Sequence, residues 1–204
     1  METSDFLAQQ FPVSAVGLDG TFKDLDSGVQ FLVANDGLWR HIQTPWLESF
    51  QPLALQDGLA VPFGRLTRKV KFKVPAPGKD LWRKFLKLAR DAMPNECAAA
   101  LVWNTTNASW RFAQRVATFS SPAYIEYAEV EIDDGEILVV DIHSHAQYAA
   151  GFSAQDDIDD KGGIKLSVVF GNIDSNVTMA ARLMLIDSSV PVGIDGSGRW
   201  EVMV

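Results

Sequence analysis

Residues Val139 to Asp160 read VVDIHSHAQYAAGFSAQDDIDD. The run leading into this stretch, Ile137 to Ile142, is apolar and mostly β-branched apart from Asp141, which suits a buried strand. Side chains two apart on a strand share a face. His143 and His145, two of the three histidines in the chain, can therefore aim their imidazoles at one point while Ser144 faces away. Ala146 to Phe152 is small and contains Gly151, as a loop should. Ser153 then reads as a helix N-cap with Asp156 three residues on. A helix starting there carries the Asp156 carboxylate in its first turn, pointing back toward the strand end. Asp157, Asp159 and Asp160 cannot all face the same point. Asp141 is read as lying on the opposite strand face, bonding backbone nearby or supporting the site.

Two imidazoles and a carboxylate suit a catalytic zinc. Such an ion takes three protein ligands at roughly 2.0–2.2 Å and leaves a fourth position for water or substrate. Each half of the pattern also has an ordinary explanation. Ser-x-x-acid is close to a capping box, and acids in a first helical turn complement the helix dipole. A lone His-x-His arises by chance on exposed strands. The conjunction is stronger: histidine is scarce, yet two of three fall at the end of one buried-looking strand with a carboxylate at loop distance.

The order His-x-His, seven residues, Ser, two residues, Asp is met by His143, His145, Ser153 and Asp156 without a gap. This pattern resembles the motif of the JAMM metalloprotease family, the JAB/MPN group. The wording DIHSH followed by GFSAQDDIDD is similar to one subgroup, the PRTRC system protein A family, part of a bacterial cassette with ThiF-related components. The motif resemblance covers roughly the last 130 residues, and the first 70 or so fit only the subgroup. It implies an α+β (broadly α/β) fold, a JAB/MPN-like mixed β-sheet flanked by helices. It also implies Zn2+ held by His143, His145 and Asp156.

In the family a distant Glu serves as general base, within a pattern like Pro-x-Glu-x-Cys-Gly-Leu-Leu. Here Pro94-Asn95-Glu96-Cys97-Ala98-Ala99-Ala100-Leu101 fits that context, with Ala98 and Ala99 at the Cys and Gly positions. Taken alone, Glu96 would be a surface acid in the Pro94-Asn95 turn. Many members also carry Pro after the second His and before the Ser, where this chain has Ala146 and Phe152. The implied reaction is metal-assisted amide hydrolysis, with Glu96 and Ser153 as catalytic residues: Glu96 moves the proton, and the Ser153 hydroxyl helps to stabilise the oxyanion. The implied substrate is a protein or peptide with a ubiquitin-like tail, of ubiquitin-like or sulfur-carrier type, and a ThiF-like protein is a candidate partner. Only 48 residues follow Asp156, which leaves little room for the long insertion of ubiquitin-specific members and favours a prokaryotic ubiquitin-like tail.

Two other classes compete. A non-catalytic MPN scaffold that binds a partner protein of the cassette is the alternative, although such members usually lose ligands. A zinc nucleobase deaminase needs His-x-Glu and Pro-Cys-x-x-Cys, and the chain has one cysteine. A helical His-Glu-x-x-His site is absent. Cys97 has no Cys-His-Asn arrangement around it and is not read as a nucleophile.

Apolar residues make up 47% of the 204 and charged residues 22%, with a net charge of −8. That composition supports a sizeable core and disfavours bulk binding to nucleic acid. A single cysteine excludes an intrachain disulfide framework and is comfortable in a reducing compartment. No apolar run reaches ~18 residues, so the expectation is a cytoplasmic protein without membrane contact.

Residues 1–75 read as an N-terminal extension of short strands, mostly β, and 76–204 as the JAMM/MPN catalytic domain, with Pro75-Ala-Pro-Gly78 between them. Phe11–Leu18, Gly28–Ala34 and Leu38–Ile42 are the short apolar pieces, and five prolines between Pro45 and Pro77 interrupt longer elements. His41 reads as structural. Arg65 to Arg90 holds ten of the eighteen basic residues. Its first half alternates as an edge strand with lysines on the wet face. Its second half places Leu81, Phe85, Leu88, Ala89 and Ala92 at helical spacing. The simplest account is a solvated face, with a docking surface as the sharper one. Further strands are expected at 97–103, 110–121, 124–132, 165–172, 177–187 and 199–204.

Overall fold

The computed structural model describes residues 10–57, 61–196 and 198–203. The chain divides into two compact units, Met1–Pro75 and Ala76–Val204.

In the first unit, β1 (Val13–Ala15), β2 (Gly28–Ala34), β3 (Gly37–Gln43), β4 (Leu47–Leu55) and β5 (Lys69–Phe72) form one sheet in that order. β1 runs parallel to β2, and the other neighbours are antiparallel. Leu32, Ala34, Trp39 and Phe50 pack with Val16, Phe22 and Leu66. His41 is buried, stacks on Phe50 at 4.3 Å and accepts from Gln30 Nε2 at 2.9 Å. It is part of the sheet's interior. Lys69 and Lys71 are exposed on the edge strand β5, where lysines discourage further strand pairing. β4 is the strand that the prolines concealed. Pro52 sits beyond the Leu47–Phe50 segment paired with β5, at the register shift against β3, where a missing N–H is tolerated.

The second unit begins with α1 (Lys79–Ala92). Then come β6 (Ala98–Asn104), β7 (Ser109–Gln114), β8 (Ala117–Ser121), β9 (Tyr124–Tyr127) and β10 (Glu136–Ser144). α2 (Ala154–Asp160), β11 (Ile164–Gly171), β12 (Thr178–Leu185), β13 (Ser188–Ile194) and β14 (Trp200–Val202) follow. Seven strands make a mixed sheet in the order β14-β13-β12-β11-β10-β6-β7, and β8 and β9 form a separate hairpin. This is the mixed sheet with helices that the sequence implies. β6 is buried along almost its whole length. α1 buries Trp82, Phe85 and Ala89, with the Trp82 and Phe85 rings 6.2 and 5.5 Å from that of Phe170. The stripe is rotated from the expected one: Trp82 goes inward because its ring has the most area to hide, and Leu81, Leu88 and Ala92 are left half-buried.

Three strands differ from expectation. The 110–121 stretch is two strands, because the chain leaves β6 at the buried Arg115 and β8 pairs with β9 instead. The 124–132 alternation is a strand only to Tyr127. β13 went unread because its two serines and Pro191 lack a strand signature. Pro191 gives its carbonyl to Met203 N–H, so its missing N–H faces the end of β14 rather than β12.

β10 and β11 are the parallel neighbours of this sheet. A parallel pair needs a crossover, and the crossover from Ser144 to Ile164 is the loop and α2. Gly171 closes β11 beneath that loop. A Cβ there would lie 2.3 Å from both Ala150 N and Tyr148 O, backbone atoms that cannot rotate away. Gly171→Ala is expected to cost about 1–3 kcal/mol in urea unfolding, and to shift the amide resonances of residues 145–150.

Candidate metal centre

His143 lies near the carboxyl end of β10, opposite Ala98 of β6. Ser144 turns inward, and its Oγ accepts from Cys97 N–H at 3.0 Å. His145 follows the strand, held by its N–H to Phe170 O at 2.8 Å. The loop is then pinned to the end of β11: Tyr148 N–H reaches His145 O, Asn172 N–H reaches Tyr148 O, and Ile173 N–H reaches Ala146 O, at 2.8, 2.7 and 2.9 Å. Ala146 is buried with φ +46°. Proline is fixed near −65°, so it cannot stand at this position.

Ser153 caps α2, and Asp156 completes a capping box. Asp156 Oδ2 accepts from Ser153 N and Oγ at 2.6 and 2.7 Å, and Ser153 Oγ accepts from Asp156 N at 3.2 Å. Asp156 Oδ1 faces His143 Nε2 at 3.1 Å, and Oδ2 is 3.8 Å from His145 Nε2. Capping and ligation are therefore not rivals here, since one carboxylate can serve both. The two imidazole Nε2 atoms are 3.1 Å apart, and one ligand atom from each of the three residues lies within 4.8 Å of the others. A tetrahedral zinc with bonds near 2.1 Å sets its ligand atoms about 3.4 Å apart. Two imidazoles and a carboxylate at these separations fit it.

The charges agree with a cation site. Burial alone would pull the His143 imidazole down, but the Asp156 carboxylate outweighs it and holds His143 above its ordinary value. Burial would raise Asp156, and His143 and Ser153 instead hold it well below the carboxylate range. Burial, together with the charge on His143, lowers His145. Metal uptake at these atoms would compete with protonation of His143.

Glu96 lies two residues before β6, with its N–H on Ser121 O and its carbonyl taking Ser120 Oγ–H. It is buried, not the surface acid of the Pro94-Asn95 turn, and burial pushes its carboxyl up to about 7. Glu96, His143, His145, Ser153 and Asp156 line one cleft of about 210 Å³. A protonatable carboxyl of this kind beside a candidate cation site can relay a proton. Ser153 has one hydroxyl proton, and it is committed to Asp156. The Cys97 thiol is pushed up to about 11 by burial, which removes thiolate chemistry.

Sequence reasoning did not find the aromatic and apolar part of the cleft wall, Tyr124, Ile125 and Tyr127 of β9 and Tyr148 of the loop. It also placed Asp141 on the wrong face. Asp141 is two residues before His143, shares its face, and binds Arg115 Nε at 3.2 Å and Lys165 Nζ at 2.8 Å. The available signal was the presence of single basic residues, Lys165 and Arg182, inside otherwise apolar strands.

Residues 78–185 match the family model described as prokaryotic homologs of the JAB domain. Residues 1–73 match a domain of unknown function, DUF2016. No curated protein matches the chain. Among solved structures, the solution structure of protein DSY2949 from Desulfitobacterium hafniense aligns with 17% identity and a TM-score of 0.43, over 56% of this chain and 86% of that one. No helix among the described residues is long and apolar enough to cross a membrane. The JAB-domain match spans more than half of the chain and contains Glu96 and every residue of the His143–Asp156 cluster, and this chain belongs to the prokaryotic homologs of the JAB domain.

Proposed function

We propose that this chain is a zinc-dependent hydrolase of an amide bond, a JAMM-type metallopeptidase or isopeptidase. The supporting observation is one cleft that holds both a three-donor cluster and a buried carboxyl poised near 7. A zinc ion held by His143, His145 and Asp156 would supply Lewis acidity and an acidified water near neutral pH. Glu96 takes the proton of the attacking water and returns it to the leaving amine, a role that suits a carboxyl with both states populated near pH 7. Ser153 first of all holds Asp156. Its hydroxyl can stabilise an oxyanion only by giving up that bond.

The proposed substrate is an extended tail of a ubiquitin-like or sulfur-carrier protein, with a ThiF-like protein as partner. The resemblance in residues 139–160 supports this assignment. The shape of the cleft agrees with it. β9 lines one wall, and its only strand partner among the described residues is β8, so its other edge could take an extended chain as an added strand. The proposed compartment is the cytoplasm, where the lone Cys97 needs no partner.

Glu96→Gln should bind zinc as the wild type does and lose about 100-fold or more in turnover, read by elemental mass spectrometry beside cleavage of tail peptides. His143→Ala should lose both. Full activity in Glu96→Gln would remove Glu96 as the base. Stoichiometric zinc with no hydrolysis of any tail would leave a non-catalytic scaffold.

The Glu96 carboxyl should also titrate at about 7 in the metal-free protein, followed by carbon-13 NMR against Glu96→Gln. A nearby cation favours the carboxylate, so added zinc should lower this value. The acid limb of kcat/KM should therefore fall below pH 7, with activity rising with pH and lost as Glu96 takes up a proton.

A further inference from the structure

Asp156 belongs to a helix of only seven residues, a length that does not hold itself in water. The capping box fixes its first turn. The rest of α2 is held to the sheet by charged groups. The Arg182 guanidinium, from β12, donates from Nη2 and Nε to Asp160 Oδ2 at 2.7 and 3.1 Å and pairs with Asp157. Its Cζ also lies 3.9 Å over the Phe152 ring. Phe152, Asp157 and Asp160 flank Asp156 on both sides in the chain. Lys165, from β11, binds Asp160 Oδ1 at 2.9 Å and Asp141 Oδ2 at 2.8 Å. Asp141 shares the strand face of His143. Lys165 therefore ties the strand that carries His143 to the helix that carries Asp156.

Buried ion pairs contribute little net stability relative to apolar side chains of the same size, because desolvation offsets the attraction. What they add is a defined geometry. We propose that Arg182 and Lys165 are positioning residues, which hold α2 so that the Asp156 carboxylate already faces His143 before an ion arrives. This inference rests on the metal reading above. It has a clear electrostatic rival. If the two cations acted through charge alone, they would repel a metal ion, and removing them would tighten binding. If they act by positioning, removing them weakens it.

The test is zinc affinity, measured by competition with a chromophoric chelator, together with the visible spectrum of bound Co2+. The variants are Arg182→Gln, Lys165→Met, the charge-conserving Arg182→Lys, and the control Leu183→Ala. Leu183 is buried on the opposite face of β12 from Arg182. Arg182→Gln and Lys165→Met are expected to weaken zinc about 10–100-fold, as loss of groups that orient metal ligands does, and to change the Co2+ spectrum. Arg182→Lys should also weaken zinc, since an ammonium cannot reproduce the guanidinium fork. Leu183→Ala should lower Tm and leave affinity unchanged. Wild-type or tighter affinity in Arg182→Gln and Lys165→Met overturns the proposal. If Arg182→Gln does not fold, Lys165→Met and Phe152→Ala test the same clamp. A wild-type protein that takes up no zinc overturns the metal reading itself, and this inference with it.

Discussion

The parallel pairing of β10 with β11 is the constraint on which the site depends. Hydrogen bonding in register from Val140–Leu166 to Ser144–Phe170 obliges the chain to leave the end of β10 and return to start β11 in the same direction. A hairpin cannot do this. The chain must cross over, and the crossover is where His145, the loop and α2 lie. Ligands in open sheets containing parallel strands commonly gather beyond the carboxyl ends of those strands. Here His143 and His145 leave β10 at that end, and the returning helix brings Asp156 back to them.

The crossover is held in place by polar contacts rather than by bulk. The loop backbone bonds to the end of β11, Gly171 allows that close approach, and Ala146 takes a left-handed turn under it. Asp156 is bound by the cap residue on one side and faces the imidazoles on the other. Around it run Arg115, Asp141, Lys165, Asp160 and Arg182, each carboxylate shared between two cations. Charges taken out of water must be paired, so these residues specify where strands and helix meet. The same burial that demands pairing raises the Glu96 carboxyl, and so puts a protonatable group in the same cleft as the imidazoles.

Period and punctuation made much of this legible in advance. The apolar run before His143 marked a buried strand, the i, i+2 spacing put both histidines on one face, and Ser153 with Asp156 marked the helix start. α1, β6 and β11 followed from apolar spacing in the same way, and Lys69 and Lys71 marked an edge strand. These are local properties, decided by a few adjacent side chains and the geometry of one element. Strands with proline, β4 and β13, were not legible. Whether a proline is tolerated depends on which neighbour its missing N–H faces, and that is a property of the sheet.

The sequence by itself determined the elements with a regular apolar period, the identity of the candidate ligands and the side on which each points. Only the tertiary structure decided that Glu96 is buried beside the histidines, 47 residues away in the chain from His143. Only it could show that Asp141 serves Lys165 and Arg115, and that β9, from outside the main sheet, lines one wall of the cleft. The reason is physical. Strand and helix periods act over a few residues, whereas desolvation and ion pairing depend on what the completed fold brings within a few ångströms.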